Sequence, residues 1–178
     1  ASLGLLQDAV RVHNSELPAD VQSQAPHAIA HYFRDKVRFR VQPARFAQDT
    51  QFVGARLSHL GSRRAAALFY RVNGERVTVM VVDEPFSSLQ PIAQPWSRGR
   101  HRVYYRNVRG HVVPIRERHG LTYIFTGDLN RRAMLELAAS AAPPPVAPTC
   151  SPIPIQKSNI QRPYIMRHDE MLHMCISS

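Results

Sequence analysis

The stretch FVGARLSHLGSRRAAALFYRVNGERVTVMVVD, which runs from Phe52 to Asp83, decides the fold. It holds three short apolar-rich runs separated by two turn signals. Asn73-Gly74 is the stronger signal, because a type I′ hairpin turn needs positive φ at both central residues and this pair tolerates it. The middle run is apolar on both faces, and the last alternates valines with other residues, so that one face is clearly apolar. The stretch therefore predicts a three-stranded antiparallel meander with a central strand covered on both sides.

Two helices and a further strand are predicted before the meander. Apolar spacing indicates a helix over residues 3–14 and a second over 26–36, where a proline in the first turn needs no hydrogen-bond donor. Over 37–41, apolar residues alternate with basic ones, which predicts a half-buried strand with a basic outer face. Pro43 ends that strand.

A long loop and two more strands are predicted after the meander. Residues 84–100 contain three prolines, which exclude a regular helix and an interior strand, so we predict a loop there. Strands follow over 110–117 and 121–126. Pro114 indicates that the first of these strands lies at an edge or carries a bulge.

The last predicted helix covers residues 129–141 and should lie across the sheet. Asp128 suits its N-cap, and a proline-rich run ends it. Together these elements predict an α+β fold in which one domain, residues 1–142, has a mostly antiparallel sheet covered by two or three helices. Residues 143–178 are predicted to form a proline-rich linker and tail.

Length and composition exclude several classes of protein. The 178 residues are 44% hydrophobic and 20% charged, as in globular proteins, and no apolar run approaches the ~20 residues that span a bilayer. A net charge of +10 raises nucleic acid or an anionic membrane surface as partners. Because the arginines are scattered and no aromatic-basic motif for base stacking is present, we predict no nucleic-acid partner. We interpret the charge as a solvated basic surface, compatible with lipid head groups nearby.

The sequence carries no motif for catalysis. A nucleophile or base needs a second group to hold it, and such sets usually lie in a strained turn or a spaced motif. The chain contains no G-x-S-x-G, no Walker loop, no paired-carboxylate motif and no dinucleotide fingerprint. We therefore predict that the protein is not an enzyme and needs no cofactor.

Two groups of residues are candidate metal ligands. His27 and His31 are spaced i, i+4 on a predicted helix, so both rings can face one ion, although an ordinary surface pair explains them as well. The tail offers soft and borderline ligands that suit copper or zinc within a few residues: His168, Asp169, His173, Met174 and Cys175. Of these, His168, His173 and Cys175 are the predicted ligands, and an extended tail without metal is the alternative.

Both cysteines, Cys150 and Cys175, lie in the tail. A disulfide between them would close a loop across the tail in an oxidising compartment. Two free thiols are equally allowed, and the sequence leaves both possibilities open.

Three aromatic residues flank the proline-rich loop. Trp96, Tyr104 and Tyr105 are candidates to line a groove for a ligand or a partner peptide. The alternative is that they pin the loop to the core. We retain them as candidate binding residues.

Five motifs, in order along the chain, resemble those of a known family. An aromatic-phenylalanine pair, Tyr32-Phe33, precedes a K-V-x-F segment, and the meander opens with Gly54-Ala55-Arg56-Leu57, continues with an alanine-rich strand and ends that strand in tyrosine. Gly127-Asp128-Leu129 stands where Ser-Asp-Leu is usual. With these motifs, residues 8–142 resemble the extracytoplasmic domain of membrane-anchored anti-sigma factors.

The resemblance implies a sensory role on the periplasmic side of the inner membrane. The domain would control an extracytoplasmic-function sigma factor, which binds a cytosolic domain, and both this domain and a membrane anchor are expected upstream of Ala1. A regulatory protease is a further expected partner. The signal would pass through the helix at 3–14, which we expect to be less stably packed than the meander. The alternative function is a module that binds a small ligand or a metal ion, copper or zinc.

Overall fold

Antiparallel strands dominate the part of the chain that the structure describes. The computed structural model describes residues 2–142. Within them, the strands are Thr50–Leu60 (β1), Arg63–Val72 (β2), Glu75–Val82 (β3), Gln94–Arg98 (β4), His101–Val108 (β5), His111–Arg118 (β6) and Leu121–Gly127 (β7). The helices are Ser2–Asn14 (α1), Pro26–Phe33 (α2) and Arg131–Ser140 (α3), and short 3-10 turns span Phe86–Ser88 and Gln90–Ile92.

The strands form one sheet in the order β1-β2-β3-β7-β6-β5-β4. Every pairing is antiparallel, and two meanders, β1–β3 and β4–β7, join where β3 pairs with β7. Asn73 and Gly74 both have positive φ, 51° and 84°, as a type I′ turn requires. The predicted meander and the predicted α+β class are therefore confirmed.

Helices cover both faces of this sheet. On one face, α1 and the 3-10 turns share an apolar cluster with strand residues such as Ala67, Met80 and Ile124. On the other face, α2, α3 and the segment before β1 share a second cluster with Leu68, Val79 and Phe125, which we name the α3-side cluster. β2 contributes to both clusters, as its two apolar faces predict.

β3 is covered on both faces, which corrects the prediction of a single clearly apolar face. Val77, Val79 and Val81 share one face, as expected, and lie in the α3-side cluster. Thr78 and Met80, on the opposite face, are only 3% and 0% exposed. A buried hydroxyl needs a partner, and Thr78 finds one in His13 of α1 at 2.9 Å.

The predicted strand at 37–41 is wrong. α2 ends at Phe33, and a turn follows in which the amides of Lys36 and Val37 both donate to the Phe33 carbonyl. Val37 and Val41 are buried in the α3-side cluster, and Phe39 packs against it. The segment thus lies on the face of the sheet with alternate side chains inward, which produces the alternation of a strand without a strand partner.

The predicted loop at 84–100 is only partly correct, because it holds β4, and β5 follows directly. β4 tolerates Pro95 since it is the edge strand of the sheet. β5 turns into β6 at Arg109-Gly110, where both φ values are positive, 49° and 83°. β6 and β7 match the strands predicted at 110–117 and 121–126. The predicted edge position or bulge at Pro114 is wrong, because β6 lies inside the sheet between β7 and β5 and its pairings are regular. β6 tolerates the proline because Pro114 pairs only with Tyr105 of β5 and lies just outside the β6–β7 ladder, which begins at Ile115.

α3 begins two residues later than predicted and has a different cap. Its N-cap is Asn130, whose side-chain oxygen accepts from the Ala133 amide at 2.9 Å. Asp128, the predicted cap, instead binds residues of α1 and β3. Among the described residues, none of the helices is long and apolar enough to cross a membrane.

Candidate functional site

Two polar clusters hold α1 and the segment that follows it against the sheet. The first, which we name the histidine cluster, joins the end of α1 to β3 and to the residue after β7. The second, which we name the Asp20 clamp, joins residues 18–21 to β1 and α2. An apolar cavity lies between the two.

The histidine cluster is centred on His13, whose side chain is only 1% exposed. Its Nδ1 lies 2.9 Å from Thr78 Oγ1, and its Nε2 lies 3.1 Å from Asp128 Oδ1. The other Asp128 oxygen accepts from Arg76 Nε at 3.2 Å, and Arg76 also pairs with Glu16 at 2.8 Å. Because a carboxylate only accepts, Nε2 carries the proton, and Nδ1 of the neutral ring accepts from the threonine hydroxyl.

Burial keeps the His13 ring neutral. It lowers the pKa of His13, and the hydrogen bond and charge of Asp128 act in the opposite direction without reversing the shift. Arg76 and His111, whose ring lies edge-on at 5.8 Å, lower the pKa further. For Asp128 itself, partial burial acts to raise the pKa, but His13 and Arg76 outweigh it and hold the pKa below its usual value.

The Asp20 clamp fixes the chain just after α1. Asp20 Oδ2 accepts from the Tyr32 hydroxyl at 2.5 Å and from the Leu57 amide at 3.2 Å. The Tyr32 hydrogen bond is the main cause of a lowered pKa for Asp20. Arg56 Nη1 donates to the Pro18 carbonyl at 2.9 Å. This short segment therefore bonds to both α2 and β1.

Close backbone contact completes the clamp. Ala55 and Val21 form an antiparallel bridge, with hydrogen bonds of 2.8 and 3.0 Å between their backbones. A Cβ at Gly54 would lie 2.6 Å from both Ala19 Cβ and the Val21 carbonyl oxygen, so only glycine allows this approach. Each residue of the G-A-R-L motif thus contributes to holding residues 18–21.

The cavity between the clusters has a volume of about 340 Å³. Its mouth carries two of the exposed large apolar side chains, Leu17 at 47% and Val53 at 40% exposure. The lining also carries charge: Arg76 is paired there with Glu16, and Arg71, which donates to the Gly74 carbonyl, adds a further positive charge. The remaining apolar walls come from α1, β2 and β3: Val12, Phe69 and Val77.

The three predicted aromatic binding residues do not line one groove. Trp96 and Tyr105 both pack on the α3-side cluster. The Tyr105 hydroxyl donates to Gln94 at 2.8 Å, and Arg131 lies over its ring. Tyr104, the neighbouring strand residue, points to the opposite face and contacts Phe86, with ring centroids 4.8 Å apart. The residues serve to attach β4 and the 3-10 turns, and a ligand role stays a prediction.

The candidate metal ligands divide into two cases. His27 and His31 are exposed on α2, and within residues 2–142 they belong to no group of three potential metal ligands. His168, His173 and Cys175 lie outside the described residues, as does Cys150. The copper or zinc site in the tail therefore stays a prediction.

The histidine cluster is a site that the sequence does not reveal. His13 sits in a helix pattern where it resembles a terminal polar residue, and its partners lie 65 and 115 residues away along the chain. The one available signal is Asp128, which belongs to a family-like motif but is displaced from the helix it was expected to cap.

The family-like motifs meet around α1 and the segment after it. Tyr32 and residues 54–57 form the Asp20 clamp, and Asp128 belongs to the histidine cluster. Comparisons with protein-family models, with curated proteins and with solved structures give no match for this chain, so its membership of a family stays a prediction.

Proposed function

We infer that residues 2–142 are the extracytoplasmic regulatory domain of a membrane-anchored anti-sigma factor, on the periplasmic side of the inner membrane. One observation carries this proposal: three separate family-like stretches converge on α1 and the segment that follows it. Tyr32 and the G-A-R-L motif bind residues 18–21, and Asp128 binds His13. A domain that passes a signal through one helix needs contacts that distinguish its docked and released states.

The attachment of α1 suits a releasable element. In the described part of the chain, α1 shares no backbone–backbone hydrogen bond with the sheet, whereas β2 and β3 are paired on both edges. α1 therefore separates from the sheet without breaking a ladder. Its docking depends on the hydrogen bonds of Asp8 and His13 and on buried apolar side chains, of which a large one contributes about 1.5–3 kcal/mol. The buried apolar residues of α1 are Leu5, Leu6, Ala9, Val10 and Val12.

Release of α1 would serve both expected partners. An undocked helix exposes backbone and apolar side chains, and proteolysis requires such local opening. A regulatory protease would then act on the segment between the domain and its anchor. Cleavage would free the sigma factor from a cytosolic domain on the other side of the membrane.

Two features of the encoding gene test this function. We expect the sequence upstream of Ala1 to hold an apolar span of about twenty residues, preceded by a cytosolic segment. That segment, expressed alone, should co-purify with a sigma factor of the extracytoplasmic-function group. An upstream sequence without either feature would contradict the proposal.

Hydrogen exchange tests the release of α1. We expect α1 amides to exchange faster than β2 amides, and Asp128→Ala to raise α1 exchange about tenfold, since an unpaired buried donor on His13 costs about 1–3 kcal/mol. Asp83→Ala is the matched control, because Asp83 is exposed and its carboxylate has no hydrogen bond among the described residues. Equal protection of α1 and β2 would count against the proposal.

A second candidate function, binding of a small apolar ligand, is favoured by the cavity beside α1. A ligand there would touch α1, the segment after it and the sheet together, and so stabilise the docked state by mass action. We expect octanoate, an acyl chain with a carboxylate for Arg71, to raise the Tm of the chain. Val53→Arg at the mouth should abolish the rise, whereas Leu3→Arg, at a residue of similar exposure (39%), should not. If octanoate still raised the Tm of the Val53→Arg variant, this cavity would be excluded as the ligand site.

A further inference from the structure

The segment after α2 carries a group of basic residues at the surface. Arg34, Lys36, Arg38 and Arg40 follow one another at every second position, and Arg64 of β2 joins them through a bond from its Nη1 to the Lys36 carbonyl at 3.3 Å. We name these five residues the basic surface. Val37 and Val41 are buried, whereas Arg34, Arg38 and Arg40 are exposed and Lys36 is half-buried.

Little of this charge is neutralised within the domain. Across the described residues, Arg34, Arg38 and Arg40 make neither an ion pair nor a side-chain hydrogen bond. Lys36 donates to the Tyr32 carbonyl and lies over its ring, and it makes no ion pair among the described residues. The carboxylates of Asp35 and Asp83 line the same depression, and Asp20 lies near enough for the charge of Lys36 to lower its pKa. Five cations therefore face three anions.

The surface is broad and shallow. Two adjoining depressions of about 670 and 560 Å³ share Arg34, Val37, Arg38 and Phe39 as common walls. Each is open to solvent, and neither encloses a single small anion. Guanidinium groups bind phosphate oxygens with two parallel hydrogen bonds. A row of them on a wide surface therefore suits a sheet of phosphate groups better than one bound phosphate.

The position of α1 shows which part of the domain lies near the basic surface. His13, at the end of α1, contacts Thr78, whereas Asp8 accepts from the amide of Gly61 in the β1–β2 turn at 2.7 Å. The axis of α1 thus runs back past that turn toward its own first residues. Ser62 and Arg64, next to the same turn, line the basic depression. The beginning of α1 and the basic surface therefore share one end of the sheet.

We propose that the basic surface binds the phosphate head groups of an anionic phospholipid bilayer and holds the β1–β2 end of the sheet against it. The binding of lipid follows from the charge and shape described above. The added statement that this bilayer is the one from which α1 emerges rests on the proposed function. The attachment would fix the position of the domain relative to its membrane anchor. Release of α1 would then change the link between domain and anchor and leave the position of the whole domain unchanged.

Sedimentation with vesicles tests the proposal on the full 178-residue chain. We expect the chain to sediment with phosphatidylcholine vesicles that contain phosphatidylglycerol, to remain free with pure phosphatidylcholine, and to be released by salt. Arg38→Glu/Arg40→Glu should lower the bound fraction at least about tenfold, because basic residues near an anionic surface each contribute to binding. Arg100→Glu/Arg102→Glu, a pair with the same spacing in the β4–β5 hairpin, should change it less than about twofold.

Each outcome decides the proposal. Equal loss of binding in both pairs, or equal sedimentation with neutral vesicles, would overturn it. Binding to inorganic polyphosphate is measured in parallel, to distinguish a lipid head group from free phosphate as the ligand. A chain that binds polyphosphate but no anionic vesicle would also overturn the proposal. Unchanged Tm in both variants separates lost binding from lost folding. Failure here leaves the upstream sequence and the exchange of α1 unaffected, so it is distinguishable from failure of the proposed function.

Discussion

Gly54→Ala is expected to lower the free energy of unfolding by about 2 kcal/mol. The new methyl group would lie 2.6 Å from both Ala19 Cβ and the Val21 carbonyl oxygen, and neither is the free end of a flexible side chain. The segment 18–21 must therefore move away from β1. That movement strains or breaks the bridge between Val21 and Ala55 and weakens the hydrogen bond between Asp20 and Leu57.

Gly4→Ala is the matched control for this substitution. A Cβ at Gly4 meets nothing within 4 Å, and alanine in a helix interior is favoured over glycine by up to about 1 kcal/mol. Urea denaturation followed by circular dichroism gives both free energies. We expect the midpoint to fall for Gly54→Ala and to stay or rise for Gly4→Ala. An unchanged midpoint for Gly54→Ala would show that the segment 18–21 is not tightly held.

Local patterns predict the meander because its signals are short-range and agree with one another. The Asn73-Gly74 turn, the valine alternation and the apolar middle run all indicate the same hairpins, and β1, β2 and β3 form as expected. Such agreement between turn chemistry and hydrophobic period is what makes a segment predictable from sequence.

The errors lie where a local pattern has two physical explanations. Alternation at 37–41 fits a strand, but it also fits a bent segment that packs on the core with Val37 and Val41 buried. The outer edge of β1 is partly occupied by Val21. At 84–100 the prolines exclude an interior strand but permit the edge strand β4. Which explanation holds depends on neighbours that are distant along the chain.

The candidate site is the least predictable part for the same reason. The Asp20 clamp is partly visible, because its G-A-R-L and Tyr32 residues belong to family-like motifs. The histidine cluster is not visible in the sequence, because the sequence predicts Asp128 to be a helix cap and His13 to be a polar residue at the end of an amphipathic helix. Only the packing of α1 on β3 shows that the ring is buried and bonded on both nitrogens.

Acidification is expected to destabilise the docked state of α1 through His13. Its pKa in the folded protein is lowered by burial, so the unfolded or undocked ring, with a pKa near 6.5, takes up a proton first. The contribution of His13 is fully present above about pH 6.5 and is lost as the pH falls toward the folded pKa. One proton gives a slope of at most about 1.4 kcal/mol per pH unit. Asp128, Asp20 and Asp8, whose pKa values are lowered from 3.8, act only in a more acidic range.

His13→Gln isolates this effect, because glutamine can donate to Asp128 but does not titrate. We expect the free energy of unfolding of the wild-type chain to decline between pH 7 and pH 5, and the decline to be largely absent in His13→Gln. His31→Gln changes an exposed histidine on α2 and should keep the wild-type slope. Urea denaturation at several pH values gives the slopes, and hydrogen exchange of α1 shows whether the opening is local. If His13→Gln retained the full slope, proton uptake would have to occur elsewhere, and the ring would serve only to fix α1 on β3.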